Sequence, residues 1–304
     1  MAIYLGIDGG GSKTSCLIGD ETNVLGTATG GASNLVRVGE AQARESLSGA
    51  IRQACAVANL NPSQIGSVCI GLAGAARSEI SELVTRIVSE IVPGKVKVVG
   101  DNVIALEAAF GGGLGVIVIA GTGSIAYGRN REGQTARAGG WGFVISDEGS
   151  GHWIGRTAVA AALGSWDEDP AQNLRLIEIL MKSWRVETIE QLVPAANATP
   201  PPDFAALFPA VLSLADSGDR IARDVLTQSG TQLANLAGIL IRRLFPQAGA
   251  VPVAMSGGVF GSSALVRQVF YNSLHSGRPD VVINPNVVEP VRGALDLARK
   301  GAAG

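Results

Sequence analysis

The sequence has little of what marks nucleic-acid-binding, membrane-spanning or exported proteins. Its 304 residues carry 24 basic and 26 acidic side chains, so no basic excess indicates binding to nucleic acid or to an anionic membrane. The most apolar stretch, residues 114–127, is too short for a membrane helix and is interrupted by glycine. Because Asp8 follows Met1 so closely, the chain does not begin with the basic segment and long apolar core of a signal peptide.

Cysteine is also scarce. Cys16, Cys55 and Cys69 match neither a disulfide framework nor the paired spacing of a metal site. Cys16 and Cys69 lie in apolar, strand-like runs, where a reduced and buried thiol is the usual state. We therefore expect a cytoplasmic protein. With 46% hydrophobic and 16% charged residues, the chain is typical of a globular protein long enough for two domains.

A glycine-rich segment near the start, DGGGSKT at residues 8–14, lies between two short apolar runs. Consecutive glycines allow positive φ angles and a close approach of the backbone to a ligand. Exposed N–H groups in such a loop bind anions, and Asp8 adds an oxygen ligand of the kind that Mg²⁺ prefers. The segment predicts a phosphate and metal site on a β-hairpin; a glycine-rich turn without a ligand is the alternative.

This segment does not fit the other common phosphate-binding motifs. A P-loop requires Gly-x4-Gly-Lys-Ser/Thr, and here Ser12 stands between Gly11 and Lys13. The P-loop and the dinucleotide fingerprint also continue into a helix, whereas residues 14–18 are typical of a strand. The sequence therefore favours a hairpin.

The pattern of strand, glycine loop and strand returns later in the chain. Residues 115–119 form an apolar run, Ala120–Ser124 is a second glycine loop, and a further strand begins at Ile125. Such a repeat predicts two like-folded halves that face each other, with both loops gripping one polyphosphate; chance similarity of two hairpins is the alternative. Strands alternating with helices indicate a parallel or mixed sheet covered on both faces.

After Gly140 the pattern is mostly helical, and Val251–Met255 is expected to be the final strand. A third glycine turn, at Gly257 and Gly258, follows that strand. Its N–H groups could receive the nucleoside side of a nucleotide. A tight turn between a strand and a helix would use glycine equally well, so both explanations stay open.

Three glycine turns in this order, with a strand-end aspartate between the first two, resemble the sugar kinase/heat-shock chaperone/actin superfamily. Within it, the chain resembles the BadF/BadG/BcrA/BcrD ATPase family and, in that family, the N-acetylglucosamine kinases. The resemblance covers nearly the whole chain. It rests on residues 6–14, 100–102 and 121–124 and, most specifically, on the run GGWGFVISDEGS at residues 139–150.

The resemblance implies an α/β fold with two actin-like, ribonuclease H-like domains, a central nucleotide cleft and a helical insert in the second domain. The first domain is expected at residues 1–113 and the second at residues 114–290. A helix within residues 291–304 is expected to pack back on the first domain. The resemblance also implies a homodimer that forms through the helical insert.

The function implied is ATP-dependent phosphorylation of the 6-hydroxyl of an amino sugar, with N-acetylglucosamine as the expected substrate and glucosamine or N-acetylmuramic acid as alternatives. By the same resemblance, Asp8 holds Mg²⁺ through water and Asp101 is the catalytic base. The implied nucleotide-binding residues are Gly10, Gly11, Ser12, Lys13, Thr14, Gly121, Thr122, Gly123, Ala215, Gly257 and Gly258. The implied sugar-binding residues are Asn34, Asp101, Trp141, Gly142 and Asp147.

Several of these residues also have a simpler local explanation. Asp101 follows a strand, where ligands bind in open α/β sheets, but it could instead cap the next helix. Trp141 could stack on a sugar or cover a domain edge. Asp147 could accept from sugar hydroxyls or cap the following helix, and Asn34 by itself is typical of a turn.

Two other classes of function remain as alternatives. The family also contains ATPase activators of acyl-CoA reductases and dehydratases, which hold a [4Fe–4S] cluster between two subunits. The cysteines here fit that class poorly, because the sequence has no cysteine-rich loop. A non-catalytic sugar sensor is the third class, but the sequence has no helix-turn-helix and no basic recognition segment.

Overall fold

The structure, a computed structural model, describes residues 2–75, 77–169, 174–247 and 249–302. Its internal contacts divide the chain into two compact units. Unit 1 comprises Met1–Ile117, Tyr127–Gln134 and Val288–Gly304, and unit 2 comprises Val118–Ala126 and Thr135–Val287. The domain boundaries expected from the sequence stay a prediction.

The first five strands form a mixed sheet with the order β3-β2-β1-β4-β5. The strands are β1 (Ile3–Gly9), β2 (Thr14–Gly19), β3 (Val24–Gly30), β4 (Ile65–Leu72) and β5 (Lys95–Val99). β1, β2 and β3 pair antiparallel, whereas β4 and β5 continue the sheet parallel to β1. Because Gly9 pairs with Thr14, residues 10–13 form the turn of a β-hairpin, as predicted.

Helices α1 (Leu35–Val57), α2 (Ser78–Ser89) and α3 (Asp101–Phe110) alternate with the strands of this sheet. Side chains alternate between the two faces of a strand, and β1 follows this rule. Leu5 and Ile7 join a core with buried residues of α1 and α2. Tyr4 belongs to a second core with Ile104 of α3, so the first sheet is covered on both faces.

A second five-stranded sheet has the order β10-β9-β6-β7-β8. Its strands are β6 (Gly115–Ala120), β7 (Ser124–Arg129), β8 (Thr135–Gly139), β9 (Val251–Ser256) and β10 (Val281–Val288). In chain order, β6–β10 take the same positions in this sheet as β1–β5 take in the first. This equivalence confirms the predicted internal repeat and the predicted α/β class.

The chain between β8 and β10 is largely helical. Its helices are α4 (Gly151–Glu168), α5 (Leu174–Trp184), α6 (Ile189–Ala196), α7 (Phe208–Asp216), α8 (Arg220–Leu244), α9 (Gly258–Ser262) and α10 (Ala264–Gly277). The long helix α8 packs against β8, α4, α7 and α10. Helices α4–α8 therefore supply most of the helical part of unit 2.

The prediction that Val251–Met255 is the final strand was wrong, because β10 follows it. β10 contains Pro285, which reads as a strand breaker because proline cannot donate to a ladder of hydrogen bonds. The structure has β10 at an edge of its sheet, where a proline is tolerated. Whether a strand lies at an edge is a property of the sheet and not of the local sequence.

The last helix, α11 (Pro290–Ala302), packs against β1, β4 and α3 in unit 1. Two glycines allow a very close approach. A Cβ at Gly6 of β1 would lie 2.3 Å from the amide nitrogen of Leu295, and a Cβ at Gly293 would lie 2.0 Å from the carbonyl oxygen of Ile104. Residues 303 and 304, the end of the predicted C-terminal segment, lie outside the described residues.

Within the described ranges, no helix is both long and apolar enough to cross a membrane. All three cysteines are free and buried. Cys16 lies in β2, Cys55 in α1 and Cys69 in β4, which is the buried position expected for Cys16 and Cys69. Burial raises the pKa of the Cys69 thiol to about 12, so the neutral thiol is the stable form.

Candidate active site

The first glycine loop, residues 10–13, is closed by its own backbone. The amide of Gly10 donates to the carbonyl of Lys13 at 2.9 Å. The carbonyl of Gly10 accepts the amides of Ser33 and Asn34, each at 3.2 Å, and this fixes the loop to the start of α1. A Cβ at Gly10 would lie 2.8 Å from the Lys13 carbonyl oxygen, so the turn has no room for a larger residue.

Gly9 and Gly10 do not adopt the positive φ angles that glycine allows. At these two positions glycine is favoured by close contact with neighbouring atoms. The Gly10 amide is engaged within the hairpin. The accessible tip of the first loop therefore consists of Gly11, Ser12 and Lys13.

Thr14 anchors the first loop from below. Its side chain is fully buried, and its hydroxyl lies 2.7 Å from both the Gly31 carbonyl oxygen and the Ser33 hydroxyl. Ser33 is itself buried. These contacts join the end of β3 to the beginning of β2, so the Thr14 side chain stabilises the hairpin. Its predicted phosphate contact stays a prediction.

Asp8 and Asp101 lie at the same edge of the first sheet. Asp8 is near the carboxyl end of β1, and Asp101 begins α3 immediately after β5, which runs parallel to β1 through β4. Burial, with a smaller contribution from the charge of Asp101, raises the pKa of Asp8 to about 6, and Lys13 opposes this. Unit 1 therefore has two partly buried carboxylates at the carboxyl ends of parallel strands.

Asp101 does not cap α3, because the N-cap residue is Gly100. The Asp101 carboxylate instead accepts the amide of Asn102 at 2.9 Å in the first turn of the helix. Burial raises the pKa of Asp101, and the hydrogen bond from Asn102 lowers it in part. The capping alternative for this residue is therefore wrong, and its carboxylate stays near the strand edge.

Asn34 is the N-cap of α1, and its side-chain oxygen accepts the amide of Val36 at 3.1 Å. This is the turn role that the local sequence indicates. The same residue touches the first loop through its backbone amide. The structure thus brings Asn34 beside the first loop.

The second glycine loop, Gly121–Ser124, is built in a similar way. The amide of Gly121 donates to the carbonyl of Gly123 at 2.9 Å, and the carbonyl of Gly121 accepts the amide of Gly151 at 2.8 Å. Gly151 is the first residue of α4. In each unit, therefore, the first glycine of the loop (Gly10 or Gly121) accepts, through its carbonyl, a backbone amide at the start of a helix.

The run Asp147–His152 holds the second loop in position. His152 donates its amide to the carbonyl of Thr122 at 3.2 Å, and the Ser124 hydroxyl donates to the carbonyl of Glu148 at 2.8 Å. Ser150 is the N-cap of α4 and accepts the amide of Trp153 at 3.2 Å. These contacts give a structural reason for an Asp-Glu-Gly-Ser run that the sequence alone did not explain.

Asp147 is a buried carboxylate between two loops. A Cβ on Gly123 would lie 2.7 Å from its Oδ2 atom, and the residue is only 8% exposed. Burial raises the pKa of Asp147, and the backbone amides of Ser124 and Gly142 lower it in part. Of the residues that could cap α4 together, Ser150 is the N-cap, and its side chain accepts the first-turn amide.

The Gly-Trp-Gly segment, Gly140–Gly142, presents its indole to solvent. Trp141 is 66% exposed, so it does not cover a domain edge. The guanidinium of Arg137 lies 3.8 Å from the centre of the Trp141 ring and donates to the carbonyl of Gly139 at 2.7 Å. Sequence reasoning missed Arg137, since its spacing from the motif gave no signal of this contact.

The third glycine turn packs against the end of β6, next to the second loop. Gly257 has a φ of 98°, and a Cβ there would lie 2.3 Å from the carbonyl oxygen of Ala120. Gly258, in contrast, faces open space. Ala215 is 2% exposed near the end of α7, with its carbonyl accepting the amide of Gly218 at 3.1 Å, and its predicted nucleoside contact stays a prediction.

The structure therefore groups the predicted residues within each unit. In unit 1, the first loop lies beside Asn34, and the Asp8 carboxylate interacts with both Asp101 and Lys13. In unit 2, the second loop contacts the run Asp147–His152, and Ala120, just before this loop, contacts the third glycine turn. Ala215 has no contact with these groups among the hydrogen bonds given above.

Comparison with known proteins shows the family to which the chain belongs. The sequence model of the BadF/BadG/BcrA/BcrD ATPase family matches residues 5–298. An N-acetylmuramic acid/N-acetylglucosamine kinase from Clostridium acetobutylicum is 32% identical, with 98% of this chain and 99% of that protein covered. An N-acetyl-D-glucosamine kinase from Dictyostelium discoideum is 28% identical, with 97% of each covered. The crystal structure of a candidate N-acetylglucosamine kinase from Chromobacterium violaceum is 28% identical, with a TM-score of 0.75 and coverage of 98% and 99%.

Proposed function

Since the chain belongs to the BadF/BadG/BcrA/BcrD ATPase family and is an ATP-dependent amino-sugar kinase, we propose that it transfers the γ-phosphate of ATP to the 6-hydroxyl of N-acetylglucosamine. The observation that carries this proposal is the pair of carboxylates, Asp8 and Asp101, at one strand edge in unit 1. N-acetylglucosamine is the sugar that the names of the three similar proteins have in common. N-acetylmuramic acid and glucosamine are the alternative substrates.

Asp101 is the proposed catalytic base. Phosphoryl transfer needs positioning and charge compensation more than covalent catalysis, and the sugar hydroxyl must lose its proton. Asp101 accepts that proton, the hydroxyl oxygen bonds to the γ-phosphorus, and the bond to the β–γ bridging oxygen breaks, so that ADP leaves. A pKa raised by burial supports this role, because a more basic carboxylate accepts a proton more readily near neutral pH.

Asp8 is the proposed ligand of Mg²⁺. A second acidic group nearby and burial both raise its pKa, and a cation beside it would offset that unfavourable charge. The described part of the chain contains no group of three or more acidic, histidine or cysteine side chains that could hold a metal ion. This supports binding through water, because Mg²⁺ keeps several waters when one or two carboxylates hold it. When bound, Mg²⁺ would offset the negative charge of the phosphates.

The proposed phosphate contacts are the tip of the first loop in unit 1 and the second loop in unit 2. Backbone N–H groups in such loops favour anions. The proposed sugar contacts in unit 2 are Trp141, Gly142 and Asp147, and in unit 1 they are Asn34 and Asp101. The exposed indole of Trp141 supports stacking on a sugar face.

A role as the ATPase activator of a reductase or dehydratase is not supported. Such proteins need cysteines at a surface that two subunits share. Cys16, Cys55 and Cys69 are buried in unit 1, and burial raises the pKa of each thiol, which disfavours the thiolate that binds iron.

A coupled ADP-release assay over the three amino sugars tests the proposal. N-acetylglucosamine should give the highest kcat/KM, and NMR of the product should locate the phosphate on the 6-oxygen. Asp101→Asn should keep nucleotide binding and lower kcat by roughly 10²- to 10⁴-fold. Asp224→Asn, an exposed carboxylate of α8, serves as the matched control. A near-normal kcat of Asp101→Asn would remove this residue as the base, and phosphate on another oxygen would refute the regiochemistry.

We also propose a homodimer formed through the helical insert of unit 2. The support is the resemblance to the family. Sedimentation of the purified protein should give twice the mass of one chain. A monomer across the micromolar range would overturn this proposal and leave the catalytic one unaffected.

A further inference from the structure

Arg137 makes two kinds of contact with the Gly-Trp-Gly segment and the glycine before it. Its guanidinium lies 3.8 Å from the centre of the Trp141 ring. The Nη1 nitrogen of the same group donates to the carbonyl of Gly139 at 2.7 Å and to the carbonyl of Gly140 at 3.3 Å. One side chain therefore contacts both the indole and the two peptide carbonyls that precede it.

The backbone around this contact is fixed. Gly139 and Gly140 have φ angles of 71° and 69°, a left-handed conformation that suits glycine and turns the chain sharply between the end of β8 and Trp141. Arg243, in α8, donates to the carbonyl of Arg137 at 2.9 Å. Arg137 is thus held at a defined position in β8, from which its side chain reaches the indole.

The indole is covered on one face and open on the other. Trp141 is 66% exposed, although the guanidinium lies over one face of its ring. The exposed area therefore belongs largely to the opposite face and the ring edge. An exposed tryptophan with no neighbour would sample several rotamers, and a ligand that stacks on it would have to immobilise it. Such immobilisation weakens binding by about three- to tenfold.

We propose that Arg137 is a positioning residue that holds the Trp141 indole in place before the sugar binds and leaves one face open for stacking. This inference rests on the proposed function, because Trp141 is a proposed sugar contact. A planar guanidinium suits the role, since it can stack on an aromatic ring and also donate in its own plane to carbonyl oxygens. Arg137 does not contact the sugar itself, so its effect passes through Trp141.

Steady-state kinetics of the full-length chain test this role. Arg137→Ala should raise the KM for N-acetylglucosamine about three- to tenfold and keep kcat within about twofold, because the sugar must then immobilise the indole itself. Arg131→Ala is the matched control. Arg131 is exposed in the turn before β8, at the opposite end of that strand from the Gly-Trp-Gly segment, so its replacement should leave KM and kcat unchanged.

A double-mutant cycle shows whether Arg137 acts through the indole. Trp141→Ala removes the ring, so Arg137→Ala in that background should raise KM by less than about twofold further. An arginine that contacts the sugar directly would raise KM by the same factor in both backgrounds. That outcome would overturn the positioning role.

Arg137→Lys is a second variant that keeps the positive charge and most of the aliphatic stem. A lysine ammonium is a point charge that cannot lie flat on the ring while it donates to both carbonyls. The KM of this variant should therefore lie between those of the wild type and Arg137→Ala. A wild-type KM in Arg137→Lys would overturn the role assigned to the planar guanidinium.

Acrylamide quenching of fluorescence reports on the contact without any ligand. The chain has four tryptophans, and the emission of Trp141 is the part that Trp141→Ala removes. In Arg137→Ala this part should be quenched more strongly, since both faces of the ring become accessible. Equal quenching in the wild type and the variant would overturn the claim that Arg137 holds the ring.

The kinetic outcomes separate this inference from the proposed function. A wild-type protein that phosphorylates no amino sugar refutes the proposed function. An active wild type whose KM is not changed by Arg137→Ala overturns the positioning role and leaves the proposed function intact.

Discussion

Replacing Asp8 by asparagine should stabilise the protein in the absence of ligands. The pKa of this carboxyl rises from 3.8 to about 6 on folding, because the group is buried near Asp101. One pKa unit corresponds to about 1.4 kcal/mol, so holding the charge at neutral pH destabilises the folded state by about 3 kcal/mol. Asparagine has nearly the same shape without the charge, so Asp8→Asn should recover most of this energy.

The sign of the pH dependence follows from the raised pKa. Asp8 contributes most favourably to stability below pH 3.8, the pKa of this carboxyl in the unfolded chain, because it is then protonated in both states. That contribution is lost as the pH rises through about 6. The two proteins should therefore be about equally stable near pH 4, and the variant should be more stable by about 3 kcal/mol at pH 8.

Urea denaturation between pH 4 and pH 8, without nucleotide or Mg²⁺, measures this difference. Asp20→Asn is a control of opposite sign. Hydrogen bonds from Thr22 and Asn23 lower the pKa of Asp20 to about 2, so its loss should destabilise the protein above pH 4 and matter less below it. An Asp8→Asn variant no more stable than wild type at pH 8, or a difference that does not change with pH, would refute the reasoning.

Four further substitutions test other parts of the structure. Gly293→Ala should lower the free energy of unfolding by about 2 kcal/mol or more, because its methyl group would overlap the backbone of α3. Gly49→Ala, in α1, meets open space and should raise the free energy of unfolding by about 1 kcal/mol. Urea titrations that show equal effects of the two substitutions would contradict this packing. Trp141→Ala should raise the KM for the sugar about tenfold without changing the melting temperature, and a KM within twofold of wild type would remove the indole from sugar binding. Ser150→Ala should lower the free energy of unfolding by about 1 kcal/mol in the same titration, because it removes the N-cap of α4. It should also weaken nucleotide binding, since α4 holds the second loop. An unchanged free energy of unfolding would count against the cap.

Local patterns predicted a large part of the fold. The apolar runs on both sides of residues 8–14 predicted the hairpin of β1 and β2, and the structure confirms it. The return of the same pattern predicted the repeat, which the two sheets confirm. These features depend on period-2 burial and on turn residues, and both can be read within a short window.

The missed strand, β10, has an identifiable cause. It lies at an edge of the second sheet and contains a proline. An edge strand tolerates a residue that interrupts a ladder. The sequence of β10 therefore looks like a loop until the neighbouring strand is known.

By itself, the sequence determined where the residues of the proposed chemistry lie: Asp8 and Asp101 at strand ends, and glycines wherever the backbone must turn tightly. Each of these depends on a few neighbouring residues. Only the tertiary structure decided that the Asp147 carboxylate lies against Gly123, and that Arg137 covers the ring of Trp141. A buried polar group takes its partners from whatever segments packing brings to it, and no local pattern records which segments those are.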